Sequence, residues 1–261
     1  MVRVVETTDK EQIRGFLHRD PDLHIYELGD LDDFDWPFTR WFGWATDGGV
    51  EDVALLYTQP SVPVLIAIAD ARDGTMEALV EGILDELPGR VYVHVTAPLL
   101  NVLARRYAVQ AAEPHLKLAL ARRDLLEAEA ADVVILAEDD VDELGELYAA
   151  AYPGTWFEPR LLATRRYVGI RRDGRLACVA GVHVHSPRWG VAALGNVATL
   201  PELRGRGLAR GACAALCGLL LEDGIDTIGL NVHRDNEAAV RAYTRLGFEP
   251  VAEYVEASLA T

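Results

Sequence analysis

Sulfur is scarce in this 261-residue chain, with three cysteines and two methionines. Cys178, Cys213 and Cys217 are an odd set, two of them one helical turn apart, and no fourth ligand is evident. That pattern argues against a disulfide framework and a zinc site, and predicts buried thiols with no metal. No apolar run reaches the roughly eighteen residues that a membrane helix needs. The amino terminus, MVRVVE, lacks the apolar region of a secretory signal. These absences predict a soluble, cytoplasmic protein with no membrane partner. Positive charge is also in short supply, since 25 Lys and Arg face 41 Asp and Glu for a formal net charge of −16. Nucleic-acid binding needs a basic face, so nucleic acid is not expected as a partner. The acidic field instead suits the steering of a cationic amine.

Half of the sequence is apolar, and its length suits two domains. The richest segment is LPELRGRGLA, residues 200–209. A strand precedes it over 189–200, and an Ala/Leu-rich helix follows over 208–221. Gly205 and Gly207 allow the main chain to take left-handed angles and to approach an anion closely, while the first N–H groups of the helix point at the phosphates. Arg204, Arg206 and Arg210 add positive charge at this point in an acidic chain. Next come a strand over 227–233 and a helix opened by Asp235 or Asn236 and closed by Gly247, before a strand that starts at Phe248. Asn236 and Tyr243, seven residues apart, project from one face of that helix.

Together Arg204-x-x-Gly207-x-Ala209 and Asn236-x-x-Ala239-x-x-x-Tyr243-x-x-x-Gly247-Phe248 resemble the GNAT superfamily of acyl-coenzyme A dependent N-acyltransferases. The resemblance is strong from about residue 132 to the end, and is nearest to the subgroup that carries a degenerate N-terminal copy. It implies an α+β chain of tandem domains, each with a mixed, mostly antiparallel sheet flanked by helices. Residues 1–125 are then the degenerate domain and 126–261 the catalytic one. The expected co-substrate is acetyl-CoA, and the expected acceptor is a primary amine on a small molecule or peptide. Val197, Ala198 and Thr199 would pair through their main chain with the pantetheine arm and receive the oxyanion. Leu208, Ala209 and Arg210 would serve the pyrophosphate, and Asn236 the pantetheine. Tyr243 would protonate the departing thiolate, since a phenol near pKa 10 can donate to a thiolate near 8.5. Oligomeric state is left as monomer or homodimer.

The order of predicted elements repeats in the two halves, which suggests an internal duplication. Where the second half has the glycine turn, the first has DARDGTM at 70–76, with one glycine. That difference predicts one active site per chain. The charged stretch 122–131 is the expected join. Phe34, Trp36, Phe38, Trp41, Phe42 and Trp44 beside the acidic run at 30–35 read as a packing cluster, or as an amine-binding surface through cation–π contacts.

The general base is the gap in this reading. The strand VAALGNVAT, residues 191–199, holds no carboxylate or imidazole. His183, His185, Glu158 and ordered water are the alternatives. A coenzyme A-binding regulator without turnover is the second functional reading. A nucleotide-binding protein unrelated to coenzyme A ranks third, because the chain lacks the Lys-Ser/Thr ending of a P-loop.

Overall fold

The computed structural model describes residues 3–69, 74–126 and 132–261. Part of the 70–76 segment and part of the expected join at 122–131 lie outside the described residues. The chain divides into two compact units, and the division is not a single cut. One unit comprises Met1–Lys117, His233–Asp235 and Val251–Thr261; the other comprises Leu118–Val232 and Asn236–Pro250.

In the first unit, β1 (Arg3–Thr7) leads to α1 (Lys10–Leu17) and α2 (Ile25–Asp30), followed by β2 (Thr39–Thr46), β3 (Gly49–Tyr57) and β4 (Val64–Ala67). Then come α3 (Thr75–Gly82), β5 (Arg90–Val95), α4 (Leu99–Leu103) and β6 (Ala108–Leu120). Strands β1 to β4 pair antiparallel in sequence order, and β4 runs parallel to β5. Alternation on β5 sends Val91, Val93 and Val95 into a core with Leu79 and Val80 of α3 and Leu103 of α4. Asp9 caps α1 by accepting from the N–H groups of Glu11 and Gln12.

The second unit repeats this plan. It contains β7 (Val133–Ile135), α5 (Val141–Ala151), β8 (Val168–Arg172), β9 (Arg175–Ser186), β10 (Val191–Thr199), α6 (Leu208–Glu222), β11 (Thr227–His233) and α7 (Glu237–Arg245). Again three antiparallel pairings, β7 to β10, precede one parallel pairing, β10 with β11. The last strand, β12 (Phe248–Ala260), begins in the second unit, while its residues from Val255 pair antiparallel with β5 of the first. Each unit is therefore a mixed, mostly antiparallel sheet flanked by helices.

Several lengths differ from the sequence reading. The residue pattern over 98–107 reads as a helix, of which the five residues of α4 form, and the pattern over 115–121 reads as a strand, which starts seven residues earlier, at Ala108. The aromatic cluster does not form one surface. Trp41 and Phe42 are buried, Phe34 and Phe38 are exposed, and Lys10 already lies over the Trp36 ring at 4.4 Å. All three cysteines are buried and free; burial pushes the Cys178 thiol up to about 11 and the Cys217 thiol up to about 12. Among the described residues, no helix is long and apolar enough to cross a membrane, and no group of His, Cys, Asp and Glu could hold a metal ion.

Candidate active site

The site is set by where two parallel strands part. Pairing of β10 with β11 runs from Val191 opposite Thr227 to Leu194 opposite Leu230, and goes no further among the described residues. Residues 195–199 continue β10 past that point and so lack β11 as a partner on that edge. Val197, Ala198 and Thr199 all lie in this released stretch. In the first unit, by contrast, every residue of β4 pairs with β5, so that strand has no released end.

Two irregularities sit at the parting. Between the pairs Ala193–Val184 and Leu194–Val182, β9 carries one extra residue, His183. Between Gly195–Gly181 and Ala198–Val179, β10 carries the extra residue, and Asn196 adopts φ 54°. Bulges of this kind redirect side chains and end pairing. Asparagine tolerates the left-handed region better than most residues. The paired glycines provide the floor: a Cβ at Gly195 would lie 2.3 Å from the His183 ring, and one at Gly181 would lie 2.2 Å from the Tyr167 ring.

Over that floor runs a polar chain. His183 Nε2 lies 3.2 Å from Asn196 Oδ1, to which the Thr155 hydroxyl also donates at 3.2 Å. Asn196 Nδ2 donates to the Tyr167 hydroxyl at 2.9 Å, and Tyr167 donates to the Val182 carbonyl at 3.1 Å. The Tyr148 hydroxyl of α5 donates to the Asn196 carbonyl at 3.0 Å. Trp156 meets the His183 ring edge-on with centroids 5.7 Å apart. Burial holds the phenols of Tyr148 and Tyr167 well above their ordinary value, so both remain donors.

At the end of β10 the chain turns into α6 through the glycine segment. Gly205 and Gly207 take φ 75° and 79°, and Gly207 is the N-cap of the fifteen-residue α6. No side chain caps this helix end, and its first turn holds no acidic residue. Nothing lies within 4 Å of a Cβ placed at either glycine. The first turn of α6, which begins at Leu208, Ala209 and Arg210, thus has neither a side-chain cap nor a carboxylate, an arrangement that favours an anion. Arg206 is exposed. Arg204 is engaged in a second way, donating to the carbonyls of Thr199 at 3.2 Å and Ala151 at 2.8 Å, which ties the loop to the end of α5.

The corresponding helix end in the first unit differs chemically. Gly74 caps α3 with φ 71°, but Glu77 stands in the first turn, with Oε2 3.8 Å from a Cβ at Gly74, and Thr75 donates to Asp52 at 3.0 Å. Two carboxylates there oppose a phosphate.

Asn236 caps α7, its Oδ1 accepting from the Ala239 N–H at 3.2 Å. Tyr243, half-buried on α7, meets Phe248 edge-on at 5.9 Å. The remaining base candidates separate. Glu158 accepts from Arg160 Nε at 2.7 Å. His185 Nε2 lies 3.2 Å from Asp223 Oδ2, and Arg166 binds that same carboxylate. Asp223 caps the C-terminus of α6, about 22 Å of helical rise from the glycine turn. Only His183 stands at the parting strands. The sequence reading missed Asn196, Tyr167, Tyr148 and the Gly181–Gly195 pair; a glycine followed by asparagine inside a strand is the signal that marks a bulge.

Comparison with known proteins agrees with this geometry. The acetyltransferase (GNAT) family profile matches residues 133–248. A mycothiol acetyltransferase from Rhodococcus jostii is 30% identical over 201 residues, covering 66% of this chain and 64% of its own length. The chain thus spans less than two thirds of that relative. Among solved structures, a GNAT-family acetyltransferase from Novosphingobium aromaticivorans has a TM-score of 0.57 at 25% identity, covering 80% of this chain and 88% of its own. A tandem GNAT protein from the clavulanic acid biosynthesis pathway superposes with a TM-score of 0.61 at 16% identity over 99% of this chain and 98% of its own, which is a likeness of fold. Strand parting, glycine turn and family profile all fall within residues 133–248, and this part of the chain is a domain of the acetyltransferase (GNAT) family.

Proposed function

We propose that the protein is an N-acetyltransferase that moves an acetyl group from acetyl-CoA to a primary amine by direct attack. The observation that carries this reading is the continuity of the released end of β10 with the uncapped N-terminus of α6. The first offers main-chain groups to an extended amide-bearing arm, and the second offers N–H donors to a pyrophosphate. Leu208, Ala209 and Arg210 hold the pyrophosphate with Arg206. Val197, Ala198 and Thr199 pair with the arm and present N–H groups to the oxyanion. Asn236 spends Oδ1 on its cap and keeps its NH₂ as a donor for the cofactor. Arg204 braces the turn.

In the reaction the amine nitrogen attacks the thioester carbonyl carbon, the C–S bond breaks, and the Tyr243 phenol protonates the thiolate. A small-molecule acceptor is favoured, because the relative at 30% identity is named mycothiol acetyltransferase. The residues 126–261 form the catalytic part and 1–125 the degenerate copy, the latter because β4 is fully paired and α3 opens on carboxylates.

The test is thiol release from acetyl-CoA against a panel of primary amines, with Tyr243→Phe beside the wild type. The expected result is amine-dependent release that falls in Tyr243→Phe while coenzyme A affinity is unchanged. Tight coenzyme A binding without release on any amine would favour a regulator and contradict the proposal.

A further inference from the structure

The released strand carries no base, yet the hydrogen bonds beneath the bulge fix the proton of one imidazole. The Val182 carbonyl can only accept, so the Tyr167 hydroxyl donates to it. The Tyr167 oxygen is then left to accept, and the Asn196 amide that reaches it presents Nδ2. This orientation turns Asn196 Oδ1 towards the Thr155 hydroxyl and His183 Nε2. A carbonyl oxygen cannot donate, so Nε2 carries a proton, and in the neutral form of the ring the lone pair is on Nδ1. The ring atoms nearest a Cβ at Gly195 are Cδ2, Nε2 and Cγ, so the imidazole lies over this glycine beside Asn196. Asn196 is 5% exposed and Tyr167 is fully buried, so water does not compete for the chain that sets this tautomer.

We infer that His183 takes the proton of the attacking amine on Nδ1, and that Asn196 and Tyr167 are positioning residues that hold its other proton on Nε2. The inference rests on the acetyl-transfer reading for its substrate and on the hydrogen-bond chain for its geometry. As the N–C bond forms, the amine proton passes to Nδ1; as the C–S bond breaks, the thiolate takes the Tyr243 proton. His183 leaves the step as an imidazolium whose Nε2–H still faces Asn196 Oδ1. It then gives a proton to solvent, and Tyr243 regains one.

Two readouts test this. The first is the ¹⁵N spectrum of histidine-labelled full-length protein, with the His183 signals assigned by their loss in His183→Gln. The Nε2–H tautomer is expected in the wild type, and a mixture in Asn196→Gly, where glycine accommodates the positive φ, and in Tyr167→Phe. The second is turnover with acetyl-CoA and an accepted amine. His183→Gln should lose on the order of a hundredfold or more in kcat, the two positioning variants less, and coenzyme A affinity should hold in all three. A wild-type Nδ1–H tautomer, or wild-type kcat in His183→Gln, overturns the inference. If the wild type acetylates no amine, acetyl transfer itself fails, while the tautomer readout still decides the positioning role.

Discussion

At the residue scale the site depends on atoms that are missing. Gly195 and Gly181 face each other across β10 and β9, and their absent side chains make room for the rings of His183 and Tyr167. Gly195→Ala would place a methyl where the imidazole lies, so the ring must leave Asn196. The expected outcome is a fall in kcat of at least tenfold, about 1.4 kcal/mol in barrier, with coenzyme A affinity retained. Steady-state kinetics beside a coenzyme A titration would show it, and unchanged kcat would refute the packing argument. Such dependence was only partly legible in the sequence. The glycine turn could be read because its chemistry is local: successive residues supply left-handed angles and helix N–H groups. The chain from Tyr167 through Asn196 to His183 joins the residue just before β8 to β10 and β9, and its register is set by two bulges that residue spacing does not reveal. His183 and His185 looked equivalent from their spacing, yet Asp223 claims one and Asn196 the other.

At the scale of elements, one strand and one helix divide the work. β10 loses β11 after Leu194, and α6 begins at Gly207 with its donors uncapped. Gly207→Val introduces a β-branched side chain at φ 79°, where strain is of order 1–3 kcal/mol. It also fills the space through which a pyrophosphate would approach. Loss of coenzyme A affinity is expected in a binding titration, with α6 still formed by circular dichroism, because most of the helix is held by its buried face of Ala212, Cys213, Leu216, Cys217 and Leu220. Retained affinity would refute the cradle. Element order and type were largely legible, since hydrophobic periodicity marks strands and helices directly. Lengths were less so: α4 stops after five residues although its pattern continues, and β6 extends through an exposed stretch that carries no apolar alternation.

At the scale of the whole molecule, two copies of one plan have diverged in chemistry. The first unit holds buried charge, whereas the second holds the parted strands and the uncapped helix end. Burial tends to raise the Glu27 carboxyl, but Lys117, with Nζ 3.9 Å away, and His24 outweigh it and hold it at about 2. Glu256 is likewise held low against burial by His94 and His115 and by the Tyr254 and Tyr92 hydroxyls, at 2.5 and 2.6 Å. A carboxylate whose folded pKa is depressed contributes stability above its ordinary value near 4.5, and that contribution is lost as pH falls towards the folded value. Thermal unfolding should therefore show the melting temperature of the wild type dropping as pH falls below about 4.5, and Glu27→Gln should show a shallower drop. Equal slopes would contradict the assignment of acid sensitivity to Glu27.

The duplication also yields the most direct test of the account. The parting of β10 from β11 and the uncapped start of α6 occur in the second unit; in the first, β4 is fully paired and Glu77 and Asp52 occupy the equivalent helix end. Calorimetric titration of the full chain with coenzyme A should give one equivalent per chain, abolished by Gly207→Val. Two equivalents, or a single one that survives Gly207→Val, would contradict the account.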